Sequence, residues 1–182
     1  MGQSKPLPMP RGLHTVTPNL TLRDCAKAIA FYERAFGAKQ KLLMKSPDGR
    51  AIWHAELEIG DSTIFCNDEM PGAPVRAPSP DQPAAFSIQL YVEDCDATFR
   101  RACDAGAKST MKPDDMFWGD RVASVVDPWG YSWSLSTHVR DVSEAEMKRA
   151  MEEIGRKMAA GADPRESGTW RVAEDEERDA MR

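Results

Sequence analysis

Several things are scarce in this chain of 182 residues, and each scarcity excludes something. No apolar run is long enough to cross a bilayer as a helix. There is no excess of basic charge. The net charge of -5 argues against a general binder of nucleic acid or anionic membranes. The four cysteines (Cys25, Cys66, Cys95, Cys103) include no Cys-x-x-Cys pair. The opening MGQSKPLPMP lacks the apolar core of a secretory signal, and Pro6 breaks the myristoylation pattern. The thiols are therefore read as reduced and mostly buried, in a cytoplasmic protein. Of three histidines, His14 and His138 carry no usable spacing, which leaves His54.

What the chain does have is a duplication. Leu20 to Lys39, LTLRDCAKAIAFYERAFGAK, returns as Leu90 to Lys108, LYVEDCDATFRRACDAGAK. Leu20 matches Leu90, Asp24 matches Asp94, Cys25 matches Cys95, and the Gly-Ala-Lys ends coincide with one residue dropped. Each copy reads as a short strand, an acid able to cap the free amides of a first helical turn, an amphipathic helix and a glycine stop. A repeat of this length implies a duplicated supersecondary unit.

Residues 1–13 are a proline-containing N-terminal arm. The pattern then predicts a strand over Thr15–Leu22 and a helix over Asp24–Phe36, with Ala28, Phe31, Tyr32 and Ala35 as its apolar stripe. Strands follow over 40–45, 51–59 and 62–67, the last two joined across Gly60-Asp61. Residues 69–85, with Pro71, Pro74, Pro78, Pro80 and Pro83, form a semi-extended connector. The second unit repeats the order: a strand over 86–92, a helix over 94–105, and strands over 108–112, 121–126 and 131–136. Asp127-Pro128-Trp129-Gly130 forms the last turn. The expected fold is α+β: two βαβββ units, residues 14–68 and 86–140, forming a cupped mixed sheet within a domain of residues 14–140. Residues 141–182 are a charged helical extension that holds 8 basic and 12 acidic side chains. It opens with the capping box Ser143–Glu146 and presents Met147, Met151, Ile154 and Met158 on one face.

Alternation along the strands sorts the faces. Leu20, Leu22, Trp53, Ala55, Leu57, Ile59, Phe86, Ile88, Leu90, Val92, Trp133 and Leu135 are expected under the helices. His54, Glu56, Gln89 and Ser134 fall on the polar face, where several strands pool hydroxyls beside a histidine. That composition suits a cavity for a small polar molecule, although a wet sheet face has the same pattern.

The paired units, with "RD…AFYERAFGAK", "VEDCDATF" and "DPWGYSW", resemble the vicinal oxygen chelate superfamily, also called the glyoxalase/bleomycin-resistance/dioxygenase family. IWHAELEIGDSTIF and FWGDRVASVVDPWGYSW are similar to its PhnB-like branch. The resemblance spans about residues 14 to 140. It implies metal ligands at the positions of Thr17, Phe65, Ser87 and Ser134. Hydroxyls and a phenyl ring cannot replace imidazole and carboxylate toward Zn, Ni or Fe. The expectation is therefore no metal and no cofactor.

His54 and Glu56, two apart on one strand, could be a proton-transfer pair, two ligands of a displaced metal, or a histidine simply hydrogen-bonded across strands. Trp118 could stack on a flat ligand and Arg121 clamp an anionic one. Alternatively Arg121 pairs with Asp120 and Trp118 is packing. The preferred reading is a protein that binds a small polar or aromatic molecule through His54, Glu56, Gln89, Trp118, Arg121 and Ser134, as a homodimer, with no nucleic-acid or membrane partner. The rivals are a metal- or base-dependent enzyme (lyase, isomerase or dioxygenase) using His54 and Glu56, and an interaction module using strand edges or the tail helix.

Overall fold

The computed structural model describes residues 7–161, so residues 162–182 of the charged extension lie outside the described residues. The chain divides into two compact units between Pro78 and Ser79, within the proline-rich connector. Each unit carries its own four-stranded mixed sheet.

In the first unit β1 (Asn19–Leu22), α1 (Cys25–Phe36), β2 (Lys39–Lys45), β3 (Ile52–Ile59) and β4 (Ser62–Asp68) follow in order, and the sheet runs β1-β4-β3-β2. Strand β1 is parallel to β4 and the other pairs are antiparallel. The expected helical stripe of Ala28, Phe31, Tyr32 and Ala35 is buried, against Leu20, Leu22, Ala55, Leu57 and Cys66 of the sheet. Asp24 accepts from the Lys27 amide, and Gly37 closes the helix in the left-handed conformation at φ 70°.

Two local expectations change. The first strand begins at Asn19 rather than Thr15. Pro18 has no N–H to give a ladder, so only its carbonyl joins, accepting from Phe65 at 2.8 Å, while Thr17 turns back to donate to the His14 carbonyl. Trp53 does not pack under the helix. It is 50% exposed, whereas Ile52 and Ala55 on either side are buried. The pairing steps from Met44↔His54 to Lys45↔Ile52, which makes Trp53 the extra residue of a β-bulge and turns its side chain outward. Trp53→Ser should therefore cost less than about 1 kcal/mol in denaturant unfolding, against roughly 2–5 kcal/mol for Leu57→Ala in the core.

The second unit repeats the plan with β5 (Ser87–Tyr91), α2 (Cys95–Asp104), β6 (Lys108–Asp115), β7 (Asp120–Val126) and β8 (Ser132–His138), ordered β5-β8-β7-β6. Helix α2 packs on β6, β7 and β8, over Ala123, Val125, Trp133 and Leu135, all at most 1% exposed. Phe86, expected under the helix, precedes β5 and is 53% exposed, its ring edge-on to Tyr131. The duplication extends to a detail of the helix starts. In each unit the first helical amide is received by a side chain at the end of the fourth strand: Cys25 N–H by Asp68 at 2.7 Å, and Cys95 N–H by Thr137 at 2.8 Å. This side chain locks each helix start to the strand that runs parallel to the first.

The connector is more ordered than its prolines imply. Ser79 and Gln82 exchange backbone hydrogen bonds at 3.0 Å, and Arg23 donates to the carbonyls of Ala77 and Pro78. Beyond β8, α3 (Glu144–Ala159) opens with the expected capping box of Ser143 and Glu146. None of its residues is fully buried, and Met151 and Met158 of its apolar face are exposed.

Candidate functional site

Strand alternation leaves each sheet with a face turned away from its helix. In the first unit that face carries His54 and Glu56, as expected from their spacing. His54 Nε2 lies 3.4 Å from Glu56 Oε1, and the imidazole meets the Phe65 ring edge-on at 4.8 Å. Register explains the grouping, since Phe65 is the cross-strand partner of Glu56 on one side and of Asn19 on the other. Both side chains are about one-third exposed, which leaves them open to solvent. A separate cleft of about 790 Å³ in the same unit is lined by Arg23, Lys45, Arg50, Asp68 and Arg76 at the start of α1, and His54 and Glu56 take no part in it.

In the second unit Gln89 and Ser134 are register partners, with Ser124 next in the row. The Gln89 side-chain amide donates to Ser136 Oγ at 2.5 Å. Val122 faces the same way as Ser136, its cross-strand partner. With Met111 and Met116 it makes a small buried apolar cluster on which Trp118 packs. Trp118 does not stand free, because its indole N–H donates to Asp120 Oδ2 at 3.2 Å.

Asp120 is the centre of this face. It is 5% exposed and receives Tyr91 Oη at 2.9 Å on the same oxygen as Trp118, while His138 Nδ1 meets its other oxygen at 2.7 Å. The His138 Nε2 reaches Asp141 Oδ1 at 3.2 Å. Hydrogen bonds donated to Asp120 first, then to Asp141, raise the His138 pKa above its ordinary value. The Asp120 carboxylate likewise raises that of Tyr91. Neither His138 nor Tyr91 was among the residues picked from the sequence. Counting outward from the Asp127–Gly130 turn would set Thr137 across from Asp120, and only the β7–β8 register brings His138 there.

Arg121 sits elsewhere. It alternates with Ala123 and Val125 onto the helix-bearing face, where its guanidinium grips Asp96 of α2 with two nitrogens and Asp115 with a third at 3.0 Å. Those carboxylates raise its pKa further, and its guanidinium in turn lowers that of Asp96. The pair anticipated from sequence, Arg121 with its neighbour Asp120, does not form, because adjacent strand residues point to opposite faces. Arg121 thus ties a helix to its sheet, and its donors are committed there. The cysteines are no better placed for chemistry. Burial pushes the Cys95 thiol up to about 11, and it donates to the Leu135 carbonyl.

The positions where the resemblance implies metal ligands hold other chemistry. The Thr17 hydroxyl is spent on the His14 carbonyl, and Phe65 offers a ring edge to His54. Ser87 is exposed on β5, and Ser134 lies between Gln89 and Ser124. This donor set lacks imidazole and carboxylate and does not fit Zn, Ni or Fe.

A model of the Glyoxalase/Bleomycin resistance protein/Dioxygenase superfamily matches residues 12–135, which takes in all eight strands except the end of β8. The chain belongs to that superfamily. An uncharacterized protein of Mycobacterium bovis is similar to this superfamily member, with 39% identity over 143 residues, 77% of this chain and 93% of that one. Among solved structures, TioX from Micromonospora sp. ML1 superposes with a TM-score of 0.53 at 26% identity, covering 68% of this chain and 97% of that chain. The PhnB protein of Bacillus cereus superposes with a TM-score of 0.53 at 16% identity, over 68% of this chain and 99% of its own, a likeness of fold alone. The two four-stranded mixed sheets with their helices are the α+β glyoxalase fold.

Proposed function

We propose that this glyoxalase-superfamily protein, of the PhnB-like branch, binds a small polar or aromatic molecule on the helix-free faces of its sheets, without the superfamily's usual metal. The observation that carries the reading is the face of the second unit. Gln89, Ser124 and Ser134 offer an amide and hydroxyls in one row, beside Trp118 and Tyr91, whose polar tips meet on a buried carboxylate. Few convergent polar groups next to apolar and aromatic surface are the usual makings of a small-molecule site. His54 and Glu56 would serve the first unit in the same way. Arg121 is left out of the binding set, since its guanidinium is occupied by Asp96 and Asp115.

The rival reading, an enzyme using His54 and Glu56 as a proton-transfer pair or displaced metal ligands, draws on their 3.4 Å approach. Native mass spectrometry of the purified protein, with elemental analysis, separates the two. The expected result is a co-purifying organic molecule that is lost on Gln89→Ala with Ser134→Ala, and no stoichiometric metal. Stoichiometric metal lost on Ser134→Ala would overturn the metal-free reading. Metal lost on His54→Ala would establish the enzyme alternative instead.

A further inference from the structure

We propose that the His138 imidazole of the second unit is the seat for the carboxylate of a small, flat organic anion, and that Asp141 is its built-in competitor. The inference rests on the ligand-binding reading of that face and specifies the ligand's charge and shape.

Two carboxylates share the one His138 ring. When both imidazole nitrogens meet carboxylate oxygens, at 2.7 Å and 3.2 Å, both carry hydrogen and the ring is a cation. The carboxylates differ in kind. Asp120 is buried and also takes the Tyr91 hydroxyl and the Trp118 indole N–H, so it is held in place, and parting it from the imidazole would leave a buried carboxylate short of its cation. Asp141 is fully exposed, and His138 is its only hydrogen-bond partner among the described residues. Displacing it returns a carboxylate to water at little cost. The Nε2 side of His138 is thus a cationic donor that is fixed from behind and only loosely covered in front.

The substitution also preserves charge. An incoming carboxylate replaces another carboxylate, so the balance around the buried Asp120 does not change. A neutral ligand would leave the imidazolium with one fewer anion, and an ammonium would be repelled. Two further titratable groups on this side are engaged elsewhere: the Tyr91 phenol bonds Asp120, and Arg140 leans toward Glu146 at the start of α3. Flatness follows from the surroundings. The Tyr91 ring is 63% exposed, and Trp118 lies half-buried over Met111, Met116 and Val122 with Phe117 edge-on to it. Rings with their polar tips already bonded offer rigid apolar area at small entropic cost.

The experiment uses benzoate and its neutral isostere benzamide as probes, followed by NMR at the His138 ring, the Trp118 indole N–H and the Gln89 side-chain amide. Benzoate should shift His138 and Trp118, and benzamide should not. Asp141→Asn should tighten benzoate about threefold by removing the competitor, the scale of an exposed ion pair. His138→Gln should weaken it about tenfold or more, the scale of a hydrogen bond to a charged group. Equal response to both probes, silence at His138, or no tightening in the Asp141→Asn protein would overturn the proposal. Because Asp141 is exposed, that variant keeps the test intact if His138→Gln fails to fold. Shifts at Gln89 without shifts at His138 would sink this inference and leave the ligand-binding reading standing.

Discussion

Asp127→Ala should unfold the second unit at ordinary temperature, or bring it close to unfolding. The carboxylate is 1% exposed and receives three donors: the Trp129 and Tyr131 amides on one oxygen, at 2.9 Å and 3.0 Å, and the Trp133 indole N–H on the other at 3.0 Å. Alanine removes the acceptor that all three share, and each such loss costs about 1–3 kcal/mol. The sum of roughly 3–9 kcal/mol is a large part of the 5–15 kcal/mol that stabilises a typical domain. Asparagine is the informative control. Its carbonyl can keep the turn amides, but its amide then faces the Trp133 N–H donor to donor, so about one hydrogen bond's worth should be lost. Denaturant unfolding of both variants, with Trp fluorescence as the probe, checks the ordering. If Asp127→Ala loses less than about 1 kcal/mol, the turn is not the anchor described here.

Gly119→Ala should be the second severe change, and its effect should reach His138. Gly119 has φ +98°, a conformation costly for any residue with a side chain. A methyl there would stand 2.1 Å from the Arg140 carbonyl oxygen and 2.9 Å from Val142 Cγ2. Backbone cannot give way as a side chain can, so the 139–142 segment must move. That segment is held by two amides, Val139 and Arg140, that donate to the Gly119 carbonyl. Moving it separates His138 and Asp141 from Asp120. Strain and overpacking together should cost about 3 kcal/mol or more.

The same variant has a pH signature. The His138 pKa is raised in the folded protein, so the imidazolium contributes stability that is fully present below the unfolded value and is lost as pH rises through the folded value. In Gly119→Ala the folded pKa should fall back toward the ordinary histidine range, and that acid-side contribution should vanish. An NMR titration of His138 in both proteins reads this directly. An unchanged titration in the variant would mean the 119–140 contact does not position the histidine.

Much of the fold was legible because its signals are local. Asp24, Asp94 and Ser143 cap helices through their own next-turn amides, Gly37 and Gly106 take positive φ just past helix ends, and Gly60-Asp61 turns a hairpin. These are interactions over a few residues, and spacing alone encodes them. The repeat of Leu20–Lys39 at Leu90–Lys108 then made the second unit a copy of the first, and both units have the same strand order. His54 and Glu56 were placed together for the same reason, since two residues along a strand share a face.

What the sequence could not decide by itself was anything that depends on a neighbour far along the chain. Trp53 alternates correctly with Ala55 and Leu57, yet a bulge set by pairing with β2 turns it outward. Arg121 seemed committed to Asp120 or to a ligand, but α2 brings it Asp96, 25 residues away. His138 showed no spacing to any other ionisable group, and only the β7–β8 register puts it on Asp120, while β5 adds Tyr91 to the same carboxylate. Local sequence determined the elements, their caps and the duplication, because helix and turn energetics act within a few residues. Tertiary structure alone decided which carboxylate each cation meets and which acid is buried, because burial and ion pairing act across strands that meet only when the sheet closes.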